Sequence, residues 1–211
     1  AYDLVWKAMK AVRFDPKRDR LFSVGDLIDR GEGSHRVLEF LAQPYVHAVR
    51  GNHDDDFCSV EPDMLAVLGR ANFNGLRWVL NTNPDKLLAI SLRLAKLPYA
   101  IEIETPRGLV GLVHADVPAS MHWGRFTELL EAGDPQAVEC ALRSRARVRS
   151  QDASGVPGVG RVFVGHTISE GGPQRLGNVF CVDTGAFKTL SEDPKEREHG
   201  SLTIVSLVHR T

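Results

Sequence analysis

Four short apolar runs of the sequence are each followed, within three residues, by a residue whose side chain can bind a metal ion. These residues are Asp26, Asn52, His114 and His166. Carboxylate and amide oxygens and imidazole nitrogens suit Mn²⁺, Fe or Zn²⁺ in an open catalytic site, whereas structural zinc sites are rich in thiolates. A centre of this kind can activate a bound water and hold an anionic substrate. The pattern therefore predicts an enzyme with a catalytic metal centre.

Two charged residues close to these ligands are candidates for handling a substrate. His53 directly follows Asn52, but the backbone turns between the two, so the imidazole can face a substrate and donate a proton to a leaving group. Arg30 follows Asp26 closely, and a planar guanidinium fits phosphate oxygens. The alternative for Arg30 is a surface ion pair.

The elements that must position the first two ligands form a βαβ pattern. Two apolar segments, Leu21–Val24 and Val46–Val49, are predicted to be strands, and Ser34 is a candidate N-cap for a helix that runs through Leu41 between them. An amphipathic helix is expected at the start of the chain. Ligands of parallel sheets collect at the carboxyl ends of the strands, where both metal-binding loops of this unit emerge.

The rest of the chain alternates between helical and extended patterns. We expect a helical insertion over residues 57–96, a hairpin of Tyr99–Glu104 with Leu109–His114, a helix over Gln136–Arg149, and strands at Val162, Val179 and Leu202. Residues 154–160 are rich in glycine and proline and are expected to form a loop. A single α/β domain over residues 1–211 is predicted, built as a sandwich of two mixed sheets flanked by helices.

The segments Gly25–Gly31, Gly51–Asp54, His114–Asp116 and Gly165–Thr167 resemble the phosphoprotein phosphatases, in particular the compact bacterial and phage lambda type. This resemblance extends over nearly the whole chain and implies the calcineurin-like metallophosphoesterase fold. It also implies two divalent metal ions, with Mn²⁺ expected and Fe or Zn²⁺ as alternatives. In the family, the aspartate that matches Asp26 joins both metals. The residues that match Asn52, His114 and His166 bind the second one.

The same resemblance assigns roles to residues around the metals. Asp29 matches the carboxylate that supports the catalytic histidine, here His53, although a turn-stabilising role is an alternative for Asp29. Arg30 and Asn52 match phosphate-binding positions.

A basic run over residues 143–149 is similar to a second phosphate-binding segment of the lambda type, in which Arg145 and Arg147 fit an Arg-x-Arg pair. The neighbouring tryptophan and glutamate of that type are replaced here by Arg143 and Ala146. A solvated helix surface is the alternative, and an RNA-binding patch is disfavoured because no aromatic residues interleave with the run. Arg145 is the phosphate-binding candidate.

The activity that follows is hydrolysis of phosphoserine or phosphothreonine monoesters, with phosphotyrosine as a further candidate, through attack of a metal-bridging hydroxide. Phosphoproteins or phosphopeptides would be the substrates. A dinucleoside polyphosphate hydrolase of the same superfamily is the first alternative, because Asp54 stands where phosphatases usually have glutamate. The family's earlier Gly-Asp-x-His-Gly segment has no counterpart in the sequence. We therefore expect a natural chain that extends upstream, and a metal-poor binding module is the alternative if it does not.

Composition restricts the partners and the compartment. The 211 residues have a formal net charge of −1, so no overall charge favours nucleic acid or an anionic membrane. The three cysteines are an odd number and lack C-x-x-C spacing, which argues against both a disulfide framework and a cysteine zinc site. No apolar stretch is long enough to span a membrane. A cytoplasmic enzyme is expected.

Overall fold

The computed structural model describes residues 2–207, apart from the side chain of residue 32. The chain folds into two compact units, residues 1–97 and residues 98–211. Each unit brings part of the predicted functional residues to strand ends. The prediction of a single domain stays a prediction.

The first unit is built on two parallel strands, β1 (Leu21–Ser23) and β2 (Val46–Ala48), which pair with Leu21 opposite Val46. The α-helices of this unit are α1 (Tyr2–Ala11), α2 (Val37–Leu41), α3 (Asn52–Ser59), α4 (Pro62–Arg70) and α5 (Pro84–Leu94). Helix α2 connects the two strands, so the predicted βαβ unit is confirmed. Residues 57–96, the predicted helical insertion, are largely helical, in α3, α4, α5 and a 3₁₀ segment, Phe73–Asn81. That they form an insertion stays a prediction.

The prediction that Ser34 caps a helix is wrong. Ser34 lies inside a 3₁₀ segment, Glu32–Arg36, and its hydroxyl donates to the carbonyl oxygen of Gly31 at 2.9 Å. Helix α2 begins only at Val37. A serine hydroxyl often bonds to a nearby backbone group in this way, and the local bond competes with helix capping.

The core of the first unit is formed by apolar side chains from both strands and from the helices. Phe40 of α2 contacts Tyr2 and Trp6 of α1, with ring centroids 5.0 and 5.7 Å apart. Trp78 of the 3₁₀ segment stacks on Phe57 of α3 at 5.6 Å. Each fully buried side chain of this size contributes about 1.5 to 3 kcal/mol. The insertion is therefore fixed to the same core as the two strands that end at the candidate site.

The second unit contains a mixed five-stranded sheet with the order β3-β4-β5-β7-β6. Its strands are β3 (Ala100–Thr105), β4 (Gly108–Val113), β5 (Arg161–Val164), β6 (Gln174–Leu176) and β7 (Val179–Cys181). The hairpin of β3 and β4 is confirmed, with Ala100 opposite Val113. Strands β4, β5 and β7 are parallel, so β4 and β5 end at the same edge of the sheet, where His114 and His166 follow.

The helices of the second unit are α6 (Trp123–Glu131), α7 (Pro135–Arg143), α8 (Ala146–Ser150) and α9 (Pro194–Glu198). The prediction of one continuous helix over Gln136–Arg149 is wrong, because the helix is interrupted between α7 and α8. Ser144 is extended, with ψ 134°, and Arg145 is the N-cap of the separate short helix α8. The predicted strand at Leu202 is also wrong, since residues 201–207 contain no strand.

Trp123 and Phe126 of α6 are among the most buried side chains of this unit. The indole of Trp123 also lies where a Cβ on Gly111 of β4 would stand, at 2.6 Å, so only glycine allows this approach. Within the described residues, no helix is long and apolar enough to cross a membrane. All three cysteines are free thiols.

Candidate functional site

Asp26 lies at the carboxyl end of β1 in a left-handed backbone conformation, with φ 54°. The loop after β2 comes so close that a Cβ on Gly51 would stand 2.2 Å from Asp26 Oδ1 and 2.3 Å from its backbone nitrogen. Only glycine permits this contact. Asp26 Oδ1 in turn accepts the backbone N–H of His53 at 3.1 Å. The loop that carries Asp26 and the segment that leads from β2 to Asn52, the first residue of α3, are therefore packed against each other.

Asp54 connects the same two segments through hydrogen bonds to their backbones. Its carboxylate accepts the backbone N–H groups of Leu27 and Gly51, each at 2.9 Å, and the residue is fully buried. Burial raises the pKa of Asp54 to about 7, and the charge of Asp26 adds to the rise, while the backbone hydrogen bonds oppose it.

In the sequence, Asp54 stands out only as an aspartate where phosphatases usually have glutamate, and this structural role was not predicted. The available signal was an acidic residue three positions after Gly51, at the start of a helix. That spacing is typical of a capping interaction.

His53, Asp29 and Arg30 form a connected set of side chains in the first unit. His53 Nδ1 lies 2.7 Å from Asp29 Oδ2, and Arg30 Nη2 lies 2.7 Å from His53 Nε2. Because a guanidinium can only donate, Nε2 is the acceptor here and Nδ1–H donates to Asp29. Asp29 Oδ1 is buried and has no hydrogen-bond partner among the described residues. The predicted partnership of His53 with Asp29 is thus present in the geometry.

The surroundings of His53 act on its pKa in opposite directions. Burial opposes the charged form, but the hydrogen bond to Asp29 and the charge of Asp26 outweigh it, so the pKa of His53 is raised. Arg30 acts in the opposite direction. For Asp29 itself, burial raises the pKa and the hydrogen bond to His53 limits the rise.

His114 and His166 come together in the second unit, as the sequence predicts. Their ring centroids are 5.1 Å apart, and the rings meet edge to face at 67°. The backbone of Gly165 donates to the His114 carbonyl oxygen at 2.7 Å, and His166 Nε2 lies 3.2 Å from the carbonyl oxygen of Arg143. His114 is only 1% exposed. Two imidazoles are therefore held side by side at one sheet edge.

The structure separates the roles of the two predicted arginines. Arg147 is 3% exposed, and its Nε donates to Asp116 Oδ1 at 2.8 Å. Its other nitrogens donate to Asp152 at 3.2 Å and to the carbonyl oxygen of Val117 at 3.1 Å. All three guanidinium nitrogens are bonded within the protein and the side chain is buried, so the expectation that Arg147 pairs with its neighbour in binding phosphate is not supported.

Arg145 differs from Arg147 in burial and in contacts. It is half-buried at the start of α8, and among the described residues its side chain makes no hydrogen bond or ion pair. Arg149, by contrast, is exposed near the end of α8. Of these three arginines, Arg145 is the one that suits an external anion.

Each unit by itself presents donors that suit a divalent metal. The first unit contains the carboxylate of Asp26 and the amide of the half-buried Asn52. The second unit contains two adjacent imidazoles, and neither group of donors contains a thiolate. Oxygen and imidazole donors are typical of catalytic Mn²⁺, Fe and Zn²⁺ centres.

Comparison with known proteins identifies the family. The profile of the calcineurin-like phosphoesterases matches residues 1–170. The chain belongs to this family. The family confirms the predicted class, a metallophosphoesterase that hydrolyses phosphate esters, and it implies divalent metal ions. The fold is the calcineurin-like metallophosphoesterase fold, as predicted.

The chain covers different shares of the length of two curated relatives. Serine/threonine-protein phosphatase 1 of Salmonella typhimurium is 30% identical over 200 residues, which are 88% of this chain and 82% of the relative. A symmetrical bis(5'-nucleosyl)-tetraphosphatase of Azotobacter vinelandii is 35% identical over 139 residues, which are 65% of this chain and 46% of the relative.

A solved structure supports the same fold. It is that of a protein proposed to be a diadenosine tetraphosphatase, and it superimposes with a TM-score of 0.58 at 19% identity, over 88% of this chain and 79% of that one.

Proposed function

We propose that the protein is a metal-dependent protein phosphatase that hydrolyses phosphoserine and phosphothreonine monoesters. The observation that supports this most is the connected set of Asp29, His53 and Arg30, with its two 2.7 Å contacts. A monoester with an alkoxide leaving group needs both a proton donor and a cation for the phosphate oxygens, and this set contains one of each.

Arg30 and His53 have linked tasks in this proposal. With Arg30 Nη2 donating to His53 Nε2, the imidazole cannot hold a proton at Nε2. When the exposed Arg30 side chain turns to a phosphate, that nitrogen becomes available. Asp29 keeps the ring oriented through Nδ1–H. Once Nε2 is free it can take up a proton from solvent, and His53 can then deliver that proton from Nε2 to the departing oxygen. Binding of the phosphate would thus prepare the proton donor.

We further propose that two divalent ions, with Mn²⁺ as the expected metal, are held by Asp26, Asn52, His114 and His166. When bound, the metals supply Lewis acidity that activates water and neutralises charge on the phosphate. The chain's own residues would do the rest. Arg30, Arg145 and Asn52 would hold the phosphate oxygens. The enzyme is expected to act in the cytoplasm.

A second candidate function is hydrolysis of dinucleoside polyphosphates. It is favoured by Asp54 after His53, and by the bis(5'-nucleosyl)-tetraphosphatase relative. Against it, the chain spans less than half of that relative but 82% of the protein phosphatase. The protein phosphatase is therefore the preferred proposal.

A direct substrate comparison tests the choice. The full-length protein with Mn²⁺ should release phosphate from a phosphoserine peptide with a higher kcat/KM than it cleaves diadenosine tetraphosphate. The variant Asp26→Asn should lose both activities, which shows that they belong to the same centre. A higher kcat/KM on the dinucleotide would replace the first proposal by the second.

A further inference from the structure

The loop that presents Arg30 is in backbone contact with a turn of the helical insertion. The N–H of Arg30 donates to the carbonyl oxygen of Asn74 at 2.8 Å. A Cβ on the next residue, Gly75, would stand 2.8 Å from both the Cα and the backbone nitrogen of Arg30. No Cβ approaches backbone atoms so closely, so the contact exists because residue 75 is glycine.

Both partners of this contact have unusual backbone conformations. Asp29 and Arg30 are left-handed, with φ 72° and 53°. Opposite them, Asn72, Asn74 and Gly75 have φ 50°, 50° and 77°. Glycine adopts this conformation freely and asparagine and aspartate tolerate it, whereas it is unfavourable for arginine. The contact with the turn therefore helps to hold Arg30 in its left-handed conformation.

The turn is itself firmly attached to the fold. Asn72 Oδ1 accepts the backbone N–H of Arg77 at 3.2 Å, and the N–H of Gly75 donates to the carbonyl oxygen of Asn72 at 3.1 Å. The residues that follow, Leu76, Trp78 and Val79, are buried in the core of the first unit. A turn anchored in this way can hold the backbone of an exposed arginine in one position.

We propose that the turn Asn72–Gly75 is a positioning element of the active site, and that Gly75 is the residue that allows it to set the place of Arg30. The inference rests on the proposed role of Arg30 in binding phosphate. It assigns a part in substrate binding to the helical insertion. A shift of about 1 Å in a positioning group can cost up to 10²-fold in rate, so a small displacement of this turn is sufficient to be measured.

The variant Gly75→Ala tests the proposal, because the added methyl group must push the turn and the Arg30 backbone apart. We expect the inhibition constant of inorganic phosphate and the KM for a phosphoserine peptide to rise by about 10-fold, as expected for a displaced binding group. The control is Gly133→Ala, since Gly133 has a similar φ of 70° but nothing within 4 Å of the point where a Cβ would stand. Gly133→Ala should leave both constants unchanged.

Two further variants separate this inference from the proposed function. Arg30→Ala should raise both constants, and Gly75→Ala should add nothing in that background, since the two residues act as a unit. If Arg30→Ala has no effect, the assigned role of Arg30 is wrong. If Arg30→Ala has its effect but Gly75→Ala matches Gly133→Ala, the positioning role is wrong while the role of Arg30 stands.

A variant without a steric clash covers the case in which Gly75→Ala does not fold. Asn72→Gly removes the hydrogen bond to Arg77 and loosens the turn without adding an atom. It should raise the phosphate inhibition constant by a smaller factor than Gly75→Ala does, and the melting temperature of the protein should be unchanged. An unchanged inhibition constant would overturn the proposal.

Discussion

Replacement of His53 by asparagine removes the proposed proton donor and leaves its neighbours in place. The imidazole is the hydrogen-bond partner of Asp29 Oδ2 and of Arg30 Nη2, each at 2.7 Å. General acid catalysis by a positioned side chain contributes about 10² to 10⁴-fold. At about 1.4 kcal/mol for each tenfold change, we expect the barrier for a phosphoserine peptide to rise by about 3 to 5 kcal/mol.

The same variant should also lower stability. Asp29 already has one buried oxygen without a partner among the described residues, and the shorter asparagine side chain takes away the partner of the other. An unsatisfied buried acceptor costs about 1 to 3 kcal/mol. In a chain of this size that corresponds to a fall in Tm of roughly 2 to 12 °C.

The assay compares two leaving groups. A phosphoserine peptide releases an alkoxide that needs a proton, whereas p-nitrophenyl phosphate releases an anion that does not, so the loss should be large for the first and small for the second. His47→Asn is the control, because His47 is exposed on β2 and stacks on Phe22. An equal loss on both substrates, together with loss of bound metal, would show that His53 is a metal ligand and not the proton donor.

Three other predictions concern the arginines and the buried carboxylate. Arg145→Ala should raise KM with little change in stability, whereas Arg149→Ala on the same helix should be neutral; similar kinetics for both variants would contradict the assignment. Arg147→Met should cost about 3 to 5 kcal/mol in urea unfolding, because it leaves the Asp116 carboxylate buried without its cation. The pKa of Asp54 is raised from 3.8 to about 7, so the folded state binds this proton more tightly than the unfolded state does. The stability of the metal-free protein should therefore fall as the pH rises from about 4 to about 7. Asp54→Asn should make that pH dependence shallower in thermal melts.

Much of the fold could be predicted from local signals. The strands at Leu21 and Val46 and the hairpin after Tyr99 have the apolar patterns and turn residues that such elements require. The helix break at Ser144 and the 3₁₀ segment around Ser34 were not predicted. At Ser34 the hydroxyl donates to the carbonyl oxygen of Gly31, and at Ser144 the hydroxyl accepts the backbone N–H of Ala146. Helical periodicity does not contain information on such local side-chain bonds.

The candidate site was predictable in its residue types but not in its supports. The position of His53 directly after Asn52 suggested a proton donor. The structure shows in addition that Arg30 Nη2 donates to His53 Nε2. The burial of Arg147 depends on Asp116, which lies 31 positions earlier in the sequence. The contact of Gly75 with Arg30 also joins segments far apart in the chain. Long-range contacts of this kind cannot be predicted from local sequence patterns, because they form only in the folded chain.

Dependence on metal is best measured as phosphate release from a phosphoserine peptide by the full-length protein, with Mn²⁺ and after exhaustive chelation. We expect turnover with Mn²⁺, loss of turnover on chelation, and recovery when Mn²⁺ is restored. Asp26→Asn should remain inactive under all three conditions while keeping its fold. Full turnover by chelated protein, or an active Asp26→Asn variant, would contradict the proposal of a metal-dependent phosphatase.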